Sequence, residues 1–388
     1  MDERTPQRLA GEFREKIERG EWAVGARLPT NRELASTYRV SVNSVQTAFR
    51  ELEADELVER RPRVGGFVKS RYPRSSGLRT ATTVAVVGGQ GLDVEIAAAQ
   101  QRGQAPGFAY RIVHGLANEI AASAFHVSTF TYLQEDTANA LARVLEKVDQ
   151  AGDTLAGVLC FLNEAVAGVR SELDRRNIPW VTVNRPDEHA IHNFVAHNAF
   201  RGARILARCY ARMGFDRVAV LSDALGMGRS TGDKFHGFLD GWIEGGMSTH
   251  DVGFVHCPTF HEEVGHDNFL AYVKKYGPPR GVFTSGDFLA LGTLRACREL
   301  GLAVPEQVAV TGSTGLDVAT YSHPSLTVLD TPMEQIGANA GQMLLEMARE
   351  GVRRMSGRYV KANIISRESC PIPADLLAQE EAAVDQTS

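Results

Sequence analysis

Polar and apolar residues separate onto two faces of a predicted helix between Ser41 and Leu52. Ser41 can cap this helix, because its hydroxyl can accept a hydrogen bond from a backbone N–H two or three residues later. Helical spacing places four apolar side chains on one face: Val42, Val45, Phe49 and Leu52. The opposite face carries amide, hydroxyl and guanidinium groups: Asn43, Ser44, Gln46, Thr47 and Arg50. Such groups can bind base edges or phosphates, but an ordinary surface helix has the same pattern, so the flanking residues must decide.

The flanking residues predict a helix-turn-helix followed by a basic hairpin. Pro6 to Arg19 form a first amphipathic helix, and Thr30 caps a second helix over residues 31–38. A turn of about four residues then leads into the Ser41–Leu52 helix, which in this arrangement enters the major groove of DNA. Two short strands, Leu57 to Arg61 and Gly66 to Ser70, predict a wing with basic residues near its tip: Arg60, Arg61 and Arg63.

Past residue 81, short apolar strands alternate with amphipathic helices. The predicted strands are Thr83–Val87, Gly157–Phe161, Trp180–Val183, Arg217–Leu221, Gly281–Thr284 and Val308–Thr311. Predicted helices between them include His114–Ala124, Asn139–Gln150, Ala199–Met213, Phe288–Leu300 and Met333–Arg349. This alternation predicts an α/β domain with parallel sheets covered on both faces. Ligands of such domains bind at the carboxyl ends of the strands.

These patterns divide the chain into four segments. Residues 1–70 are predicted to form a winged helix-turn-helix (α+β) DNA-binding domain, and the polar stretch 71–81, rich in Pro, Ser and Gly, a linker. Residues 82–375 are expected to form the ligand-binding and dimerisation domain. Residues 376–388 are expected to be a disordered tail.

Composition and charge agree with this division. The chain of 388 residues is too long for one ordinary core, and its net charge is −5. Residues 1–80 contain sixteen basic and twelve acidic residues, a net of +4, which leaves −9 for the rest. The basic N-terminal part can therefore be attracted to phosphates on its own. The five scattered cysteines are expected to be reduced core residues. No apolar leader or membrane-length apolar run is found, so a cytoplasmic location without a membrane partner is expected.

The N-terminal segment, residues 8 to 68, resembles the winged-helix domain of the GntR family of bacterial transcription regulators. The matching residues are Gly20, Gly25, Leu28-Pro29-Thr30, Arg32, Leu34-Ala35, Val40-Ser41, Val45, Ala48, Leu52 and Gly65-Gly66-Phe67-Val68. The resemblance implies DNA contacts from Arg32, from the polar face between Asn43 and Thr47, and from Gly65. The family often has arginines where this chain has Val42 and Gln46, so fewer guanine-reading side chains are expected.

Residues 83 to 372 resemble the effector domain of the LacI/GalR family, which is related to periplasmic sugar-binding proteins. The matching stretches include Ala196-His197-Asn198, Met213-Gly214-Phe215, Gly237-Phe238, the run from Ser285 to Gly292, Glu299-Leu300-Gly301, His323 to Val328 and Ile365 to Ser369. The resemblance implies two lobes, joined by three crossovers, that close on a small molecule in the cleft.

Six residues are candidates for binding that small molecule: Phe108, Arg229, Lys234, Asp287, Ser313 and Thr314. Lys234 stands where the family usually has a ligand-binding arginine, and an ammonium cannot make the bidentate contact of a guanidinium. Asp287 follows a buried strand and opens a helix, where it could bind sugar hydroxyls or act as a simple N-cap. The long loop from Gly88 to Gly107 is either a lid or a mobile insertion.

Two enzyme-like readings are weak. Val87 to Gly91 lacks the GxGxxG spacing of a dinucleotide site. His256, His261 and His266 lack zinc-ligand spacing, and His189, His192 and His197 are interpreted as loop residues beside the hinge. We therefore predict no enzyme, cofactor or metal, but a homodimeric regulator, most simply a repressor, whose partners are double-stranded operator DNA and a small-molecule effector such as a sugar. The alternative is a sugar-binding receptor without a DNA role.

Overall fold

The fold was analysed in a computed structural model. The structure describes residues 6–55, 57–61, 65–69, 83–89, 107–121, 123, 125–132, 137–161, 164–183, 191–223 and 229–386. The proposed linker 71–81, Arg63 and nearly all of the loop 88–107 lie outside these residues.

The N-terminal domain is a three-helix unit with a two-stranded wing. Its elements are α1 (Pro6–Glu18), α2 (Asn31–Tyr38), α3 (Val42–Ala54), β1 (Val58–Arg61) and β2 (Gly65–Val68). The strands are antiparallel, with Arg61 opposite Gly65. Leu9, Phe13, Phe49 and Leu52 are buried in one core that these helices share. The predicted winged helix-turn-helix is confirmed, with element bounds shifted by one or two residues.

The α2 helix begins with a reciprocal cap. The Thr30 hydroxyl accepts a hydrogen bond from Glu33 N, and the Glu33 side chain accepts one from Thr30 N, which satisfies two backbone donors that a helix start leaves free. At its other end, Arg39 adopts a left-handed conformation with φ 55°. The Thr30 cap fixes the start of α2, and the left-handed Arg39 ends it. The α3 helix can therefore begin four residues after the last residue of α2.

The rest of the described chain forms two α/β lobes. In the first lobe, six described strands lie in the order β13-β7-β6-β5-β3-β4. They are β3 (Thr83–Gly89), β4 (His126–Tyr132), β5 (Leu155–Phe161), β6 (Trp180–Val183), β7 (Phe194–His197) and β13 (Arg358–Val360). The accompanying helices are α4 (Phe108–Ile120), α5 (Thr137–Ala151), α6 (Glu164–Arg175) and α12 (Met333–Glu350). The α4 helix starts six residues earlier than predicted.

The second lobe repeats this architecture, with six described strands in the order β14-β12-β11-β10-β8-β9. They are β8 (Val218–Ser222), β9 (Val252–His256), β10 (Gly281–Thr284), β11 (Ala309–Thr314), β12 (Thr327–Asp330) and β14 (Ile364–Ile365). Its helices are α7 (Ala199–Arg212), α8 (Arg229–Glu244), α9 (Glu262–Tyr276), α10 (Asp287–Glu299), α11 (Asp317–Tyr321) and α13 (Ala374–Asp385). Every pairing in both sheets is parallel except that of β12 with β14.

The strands are apolar at nearly every position because helices cover both faces of the sheet. Val84 and Val86 of β3 belong to a core beneath α4 and α12, whereas Ala85 and Val87 belong to a core beneath α5 and α6. Successive side chains of a strand point to opposite faces, so a sheet covered on both faces needs apolar residues at every position. The predicted α/β fold with parallel sheets is confirmed.

The described chain passes between the two sheets three times, at His197–Ala199, Asp330–Met333 and Val360–Ile364. Close helix packing follows the first passage, because a Cβ on Gly237 of α8 would lie only 2.1 Å from the Phe200 carbonyl oxygen of α7. The Gly237-Phe238 pair thus allows two helix backbones to approach.

The expected disordered tail is wrong as far as the described chain extends. Ala374 to Asp385 form α13, which packs on α7 of the second lobe. Leu376, Leu377 and Val384 contact the apolar core there, and Glu380 is buried. The helix is therefore an integral part of the second lobe.

Candidate DNA-binding surface and effector site

The polar face of α3 is exposed and largely unpaired. Asn43 and Arg50 are exposed, and Gln46 and Thr47 are half-buried. None of these four makes a side-chain hydrogen bond or ion pair within the part of the chain that the structure describes. Their amide, hydroxyl and guanidinium groups are therefore available to base edges and phosphates.

Ser41 and Ser44, two further candidates for DNA contact, also stabilise the start of α3. The Ser41 hydroxyl accepts a hydrogen bond from Ser44 N at 3.0 Å, as the predicted N-cap. The two hydroxyl oxygens also lie 2.8 Å apart. Ser41 therefore fixes the start of the helix, and its remaining hydrogen-bonding capacity and that of Ser44 face solvent.

Val42 does not belong to the apolar stripe. Its side chain is 40% exposed, whereas Val45, Ala48, Phe49 and Leu52 are buried. Helical spacing placed Val42 at the edge of the stripe, but it is the first residue of the helix, beyond the end of the domain core. An apolar side chain thus stands on the outer surface of α3.

Basic residues of α2 and the wing differ in how they are held. Arg32 is exposed on the first turn of α2. Arg61 donates from Nε to Glu59 Oε1 at 2.8 Å, and its guanidinium lies 4.4 Å above the ring of Phe67. Gly65 lies opposite Arg61 with φ +123°. The guanidinium of Arg27 also lies beside Gly65. Arg27 was not predicted as a DNA contact, because its residue type does not distinguish it from the other exposed arginines of the domain.

In the second lobe, Lys234 of α8 is buried at 6% exposure, and its ammonium donates to the Ser285 carbonyl oxygen at 3.3 Å. Burial lowers the pKa of Lys234 to about 8, although the carboxylates of Asp287 and Asp223 favour its charged form. The structure thus brings two of the predicted ligand-binding residues, Lys234 and Asp287, into one buried polar cluster.

Asp287 itself is the first residue of α10 and is only 1% exposed. One carboxylate oxygen accepts a hydrogen bond from Leu316 N at 2.7 Å. The other lies 2.8 Å from where a Cβ of Gly312 would stand. Burial raises the pKa of Asp287 to about 6, against the lowering effects of the Leu316 N–H and Lys234. The position of Asp287 is that of an anchor for the loop after β11, and the helix N-cap is Gly286.

Ser313 and Thr314 end β11 beside the same cluster. The buried Ser313 hydroxyl donates to the Ser285 carbonyl oxygen at 3.0 Å, so this carbonyl accepts from both Ser313 and Lys234. Thr314 is half-buried and has φ 135°, a conformation that costs an L-residue energy. The backbone at Thr314 therefore departs from regular strand geometry.

Phe108 and Arg111 lie one turn apart on α4, in the first lobe. Phe108 is half-buried against the apolar core there. Arg111, which sequence reasoning missed, donates from Nε to Glu334 Oε1 at 2.6 Å and from Nη1 to the Gly315 carbonyl oxygen at 3.3 Å. Gly315 belongs to the second lobe, so Arg111 connects the two lobes. The side chain of Arg229 lies outside the described residues.

His197 is a strand residue, not the predicted loop residue. It ends β7 at 5% exposure, where its Nε2 lies 3.2 Å from the Ser230 hydroxyl oxygen. Burial, aided by Lys234, lowers the pKa of His197 to about 3. His192 makes an isolated bridge with Ser356, and His189 lies outside the described residues.

Three buried polar atoms of this region have no hydrogen-bond partner in the described structure: His197 Nδ1, Ser285 Oγ and Asp287 Oδ1. Buried polar groups are nearly always paired, so such atoms call for a partner that the chain itself does not supply. Neutral nitrogen, hydroxyl and carboxylate groups can bind the hydroxyls of a polar small molecule.

The described residues contain no cluster of three or more His, Cys, Asp or Glu side chains able to hold a metal ion. His266 is bonded to Asp267 and Glu299. Within the described chain, each helix is too short or too polar to cross a bilayer.

Two parts of the chain match known protein families. Residues 5–68 match the model for bacterial regulatory proteins of the gntR family, and residues 207–370 match the periplasmic binding protein-like domain. The HTH-type transcriptional repressor PurR of Erwinia tasmaniensis is 30% identical over 216 residues, covering 55% of this chain and 62% of that protein. PurR of Serratia proteamaculans is 32% identical over 178 residues, covering 45% and 50%. The chain thus spans less than two thirds of these relatives.

Solved structures share the fold. A regulatory protein of the LacI family from Chloroflexus aggregans superposes with a TM-score of 0.61 at 19% identity, covering 74% of this chain and 98% of that chain. A complex of the transcriptional regulator CelR with cellobiose gives 0.62 at 19% identity, covering 88% and 100%. A LacI-family regulator from Enterococcus faecium with bound ribose gives 0.61 at 16% identity, covering 75% and 100%.

Proposed function

We propose that this chain, which joins a gntR-type helix-turn-helix domain to a periplasmic-binding-protein-like domain of the LacI type, is a ligand-responsive DNA-binding regulator that acts as a repressor. The observation that carries the proposal is the exposed, unpaired polar face of α3, presented by a capped helix pair and followed by a wing. A receptor without a DNA role would have no use for this surface. Binding to operator DNA would require a cytoplasmic location, and the proposed role includes no catalytic activity.

On DNA, α3 would lie in the major groove. Asn43 and Gln46 would bond base edges, and Arg50 and Thr47 would bond bases or phosphates. Arg32 at the start of α2 and Gly65 in the wing would approach the phosphate backbone, where Ser41 and Ser44 offer their remaining hydroxyl capacity. A single domain of this size covers one half-site, so a homodimer would bind an approximately palindromic operator.

The effector would bind between the lobes, near the cluster of Lys234, Ser285 and His197. A sugar or sugar derivative fits best, because its many hydroxyls can pair with the unpartnered buried atoms. The cellobiose and ribose complexes of two structural relatives support this class of ligand. Lys234 would donate to the ligand, Asp287 would hold the loop that carries Gly315, and Ser313, Thr314 and Phe108 would line the site.

The two activities would be coupled by lobe closure. A ligand changes DNA affinity only if it binds the open and closed arrangements with different affinities. Arg111 gives this coupling a physical element, because its guanidinium binds Glu334 in the first lobe and the Gly315 carbonyl in the second. Closure or opening would shift this link and change the spacing of the two DNA-binding domains of a dimer.

The experiment that tests the DNA-binding role is selection of bound duplexes from a random pool by the full chain. The parent should enrich a two-part motif, and N43A and Q46A should relax its base preference at one position per half-site, by about 1–3 kcal/mol for each lost contact. Exposed Gln307, in the second lobe, provides the control Q307A. Enrichment of no motif by the parent would refute the regulator assignment.

A further inference from the structure

The wing has a third strand segment that carries an arginine. Arg27 forms an antiparallel bridge with Phe67 of β2, and Phe67 in turn lies opposite Glu59 of β1. Residues directly opposite across antiparallel strands point to the same face, so Arg27, Phe67 and Glu59 form one row. Leu28 and Val68, next to them in sequence, point to the other face and are buried in the core. The row therefore lies on the outer face of the wing.

The guanidinium of Arg27 extends along this face to Gly65, at the end of the hairpin. A Cβ placed on Gly65 would lie 3.3 Å from Arg27 Nε and 3.6 Å from its Nη2. Gly65 also has φ +123°, which disfavours any other residue. The glycine thus leaves the space that the guanidinium occupies.

Two neighbouring basic side chains of the wing, Arg60 and Arg61, are each paired with a carboxylate. Arg60 Nε lies 2.6 Å from Glu53 Oε1 of α3. Arg61 pairs with Glu59 at 2.7 Å and also stacks on Phe67. Their charges are therefore largely compensated before any phosphate approaches.

Arg27 is different, because it makes no side-chain hydrogen bond or ion pair with any residue in the described part of the chain. The pKa of Glu33 is lowered mainly by hydrogen bonds from the backbone N–H and the hydroxyl of Thr30, and to a smaller degree by the charge of Arg27. The Glu33 carboxylate is thus already bound by Thr30. Arg27, Thr30 and Gly65 line one surface groove of about 420 Å³ between the wing, α2 and α3.

We propose that Arg27 is a phosphate contact of the wing, and that Gly65 acts by leaving room for this guanidinium at the hairpin end. The inference rests on the proposed DNA-binding function and deepens it. An uncompensated guanidinium is suited to bidentate binding of a phosphate, whereas Arg61 must first give up its bond to Glu59. The contact is to the DNA backbone, so it adds affinity without base preference.

The test is a salt titration of the full chain on a labelled duplex of arbitrary sequence, in which fluorescence anisotropy measures binding at each salt concentration. Loss of one phosphate contact should make the slope of log K against log salt less steep by about 0.9 for each DNA-binding domain on the duplex. A fourfold rise in salt should therefore weaken the parent about 3.5-fold more than R27A if one domain is bound, and about 12-fold more if both domains of a dimer are bound. R27K keeps the charge and should keep the slope. R61A should change the slope less than R27A does.

The matched control is R19A, because Arg19 is an exposed arginine directly after α1 whose Nη2 lies 3.5 Å from Glu15 Oε2. Far-ultraviolet circular dichroism of R27A should match that of the parent, since the side chain is exposed. A parent-like slope for R27A, with clear binding by the parent, would overturn the role of Arg27 and leave the proposed function standing. If the parent binds no duplex, the proposed function and this inference fall together.

Discussion

The carboxylate of Glu380 accepts a hydrogen bond from Arg208 Nε at 2.5 Å, 172 residues earlier in the chain. The Glu380 side chain is 6% exposed and that of Arg208 17% exposed. Arg212, one turn further along α7, adds a second contact to Glu380 at 3.2 Å. The last helix of the chain is thereby held to the helix that follows the first passage between the lobes.

Replacing Glu380 by Ala should destabilise the second lobe by about 1–3 kcal/mol, because it leaves the guanidinium of a partly buried arginine without its main acceptor. The loss should stay below that of a fully orphaned charge, since Arg208 Nη1 also reaches Glu244 at 3.2 Å. Thermal unfolding of the full chain measures the effect as a lower Tm. Exposed Glu306 gives the control E306A, and equal Tm values for both variants would contradict the structural role of Glu380.

The α13 helix also shows where sequence reasoning ends. The segment is rich in Ala and Glu, with only Leu376, Leu377 and Val384 as apolar anchors. Its stability comes from partners that are distant in sequence, and local patterning does not reveal these. By contrast, the helix-turn-helix and six of the strands were predicted correctly, because their caps and apolar runs are local features. The short buried strands β7 and β12 were missed.

The candidate site divides in the same way. Lys234 was a candidate because of the resemblance to the LacI/GalR family, and Asp287 because it follows a buried strand and opens a helix. The structure brings both side chains into one buried cluster. The anchoring of Leu316 by Asp287 and the link from Arg111 to Gly315 depend on how separate loops meet. Such contacts, and the exposure of Val42, are tertiary facts that periodicity does not determine.

Val42 should contact the 5-methyl group of a thymine, since it is an exposed apolar residue at the N-terminal end of α3, where base contacts concentrate. V42A should lose about fivefold in affinity for the duplex that the parent selects, which corresponds to roughly 1 kcal/mol for the lost apolar contact. Replacing that thymine by deoxyuracil should weaken the parent equally and V42A hardly at all.

Val24, which is 60% exposed in the turn after α1, gives the matched control V24A. Anisotropy titrations of both proteins on thymine and deoxyuracil duplexes complete the cycle. Identical sensitivity of the parent and V42A to every thymine replacement would show that Val42 reads no methyl group.

Lys234→Met should abolish the response to the effector without changing DNA affinity in its absence. Methionine keeps an unbranched stem of similar length but removes the ammonium that would donate to ligand hydroxyls. Thermal-shift screening with a sugar panel that includes ribose and cellobiose identifies a stabilising ligand of the parent, since a bound ligand raises Tm by mass action. The Tm shift should disappear in K234M.

The pKa of Lys234, about 8, adds a second readout. Ligand-induced stabilisation of the parent should decline as the pH rises above 8, where the ammonium loses its proton. K274M, on the surface helix α9, is the control and should keep the full shift. A full shift in K234M would remove Lys234 from the site.

His197 should make the protein less stable as the pH falls below neutrality. Its pKa is lowered from 6.5 to about 3 because burial disfavours the charged ring. Between these values the unfolded chain binds a proton that the native chain does not, so stability falls with decreasing pH, by about 1.36 kcal/mol per unit below 6.5. Asp287 acts in the opposite sense between pH 3.8 and about 6, because its raised pKa lets the native state bind the extra proton.

H197Q separates the two effects, because glutamine does not titrate and can still bond the Ser230 hydroxyl. Its stability relative to the parent, measured by urea denaturation, should rise by about 2 kcal/mol between pH 7 and pH 5. The exposed residue His236 provides the control H236Q, which removes an imidazole from the surface of the same helix, α8. A difference between H197Q and the parent that stays constant from pH 7 to pH 5 would show that His197 titrates normally in the folded protein.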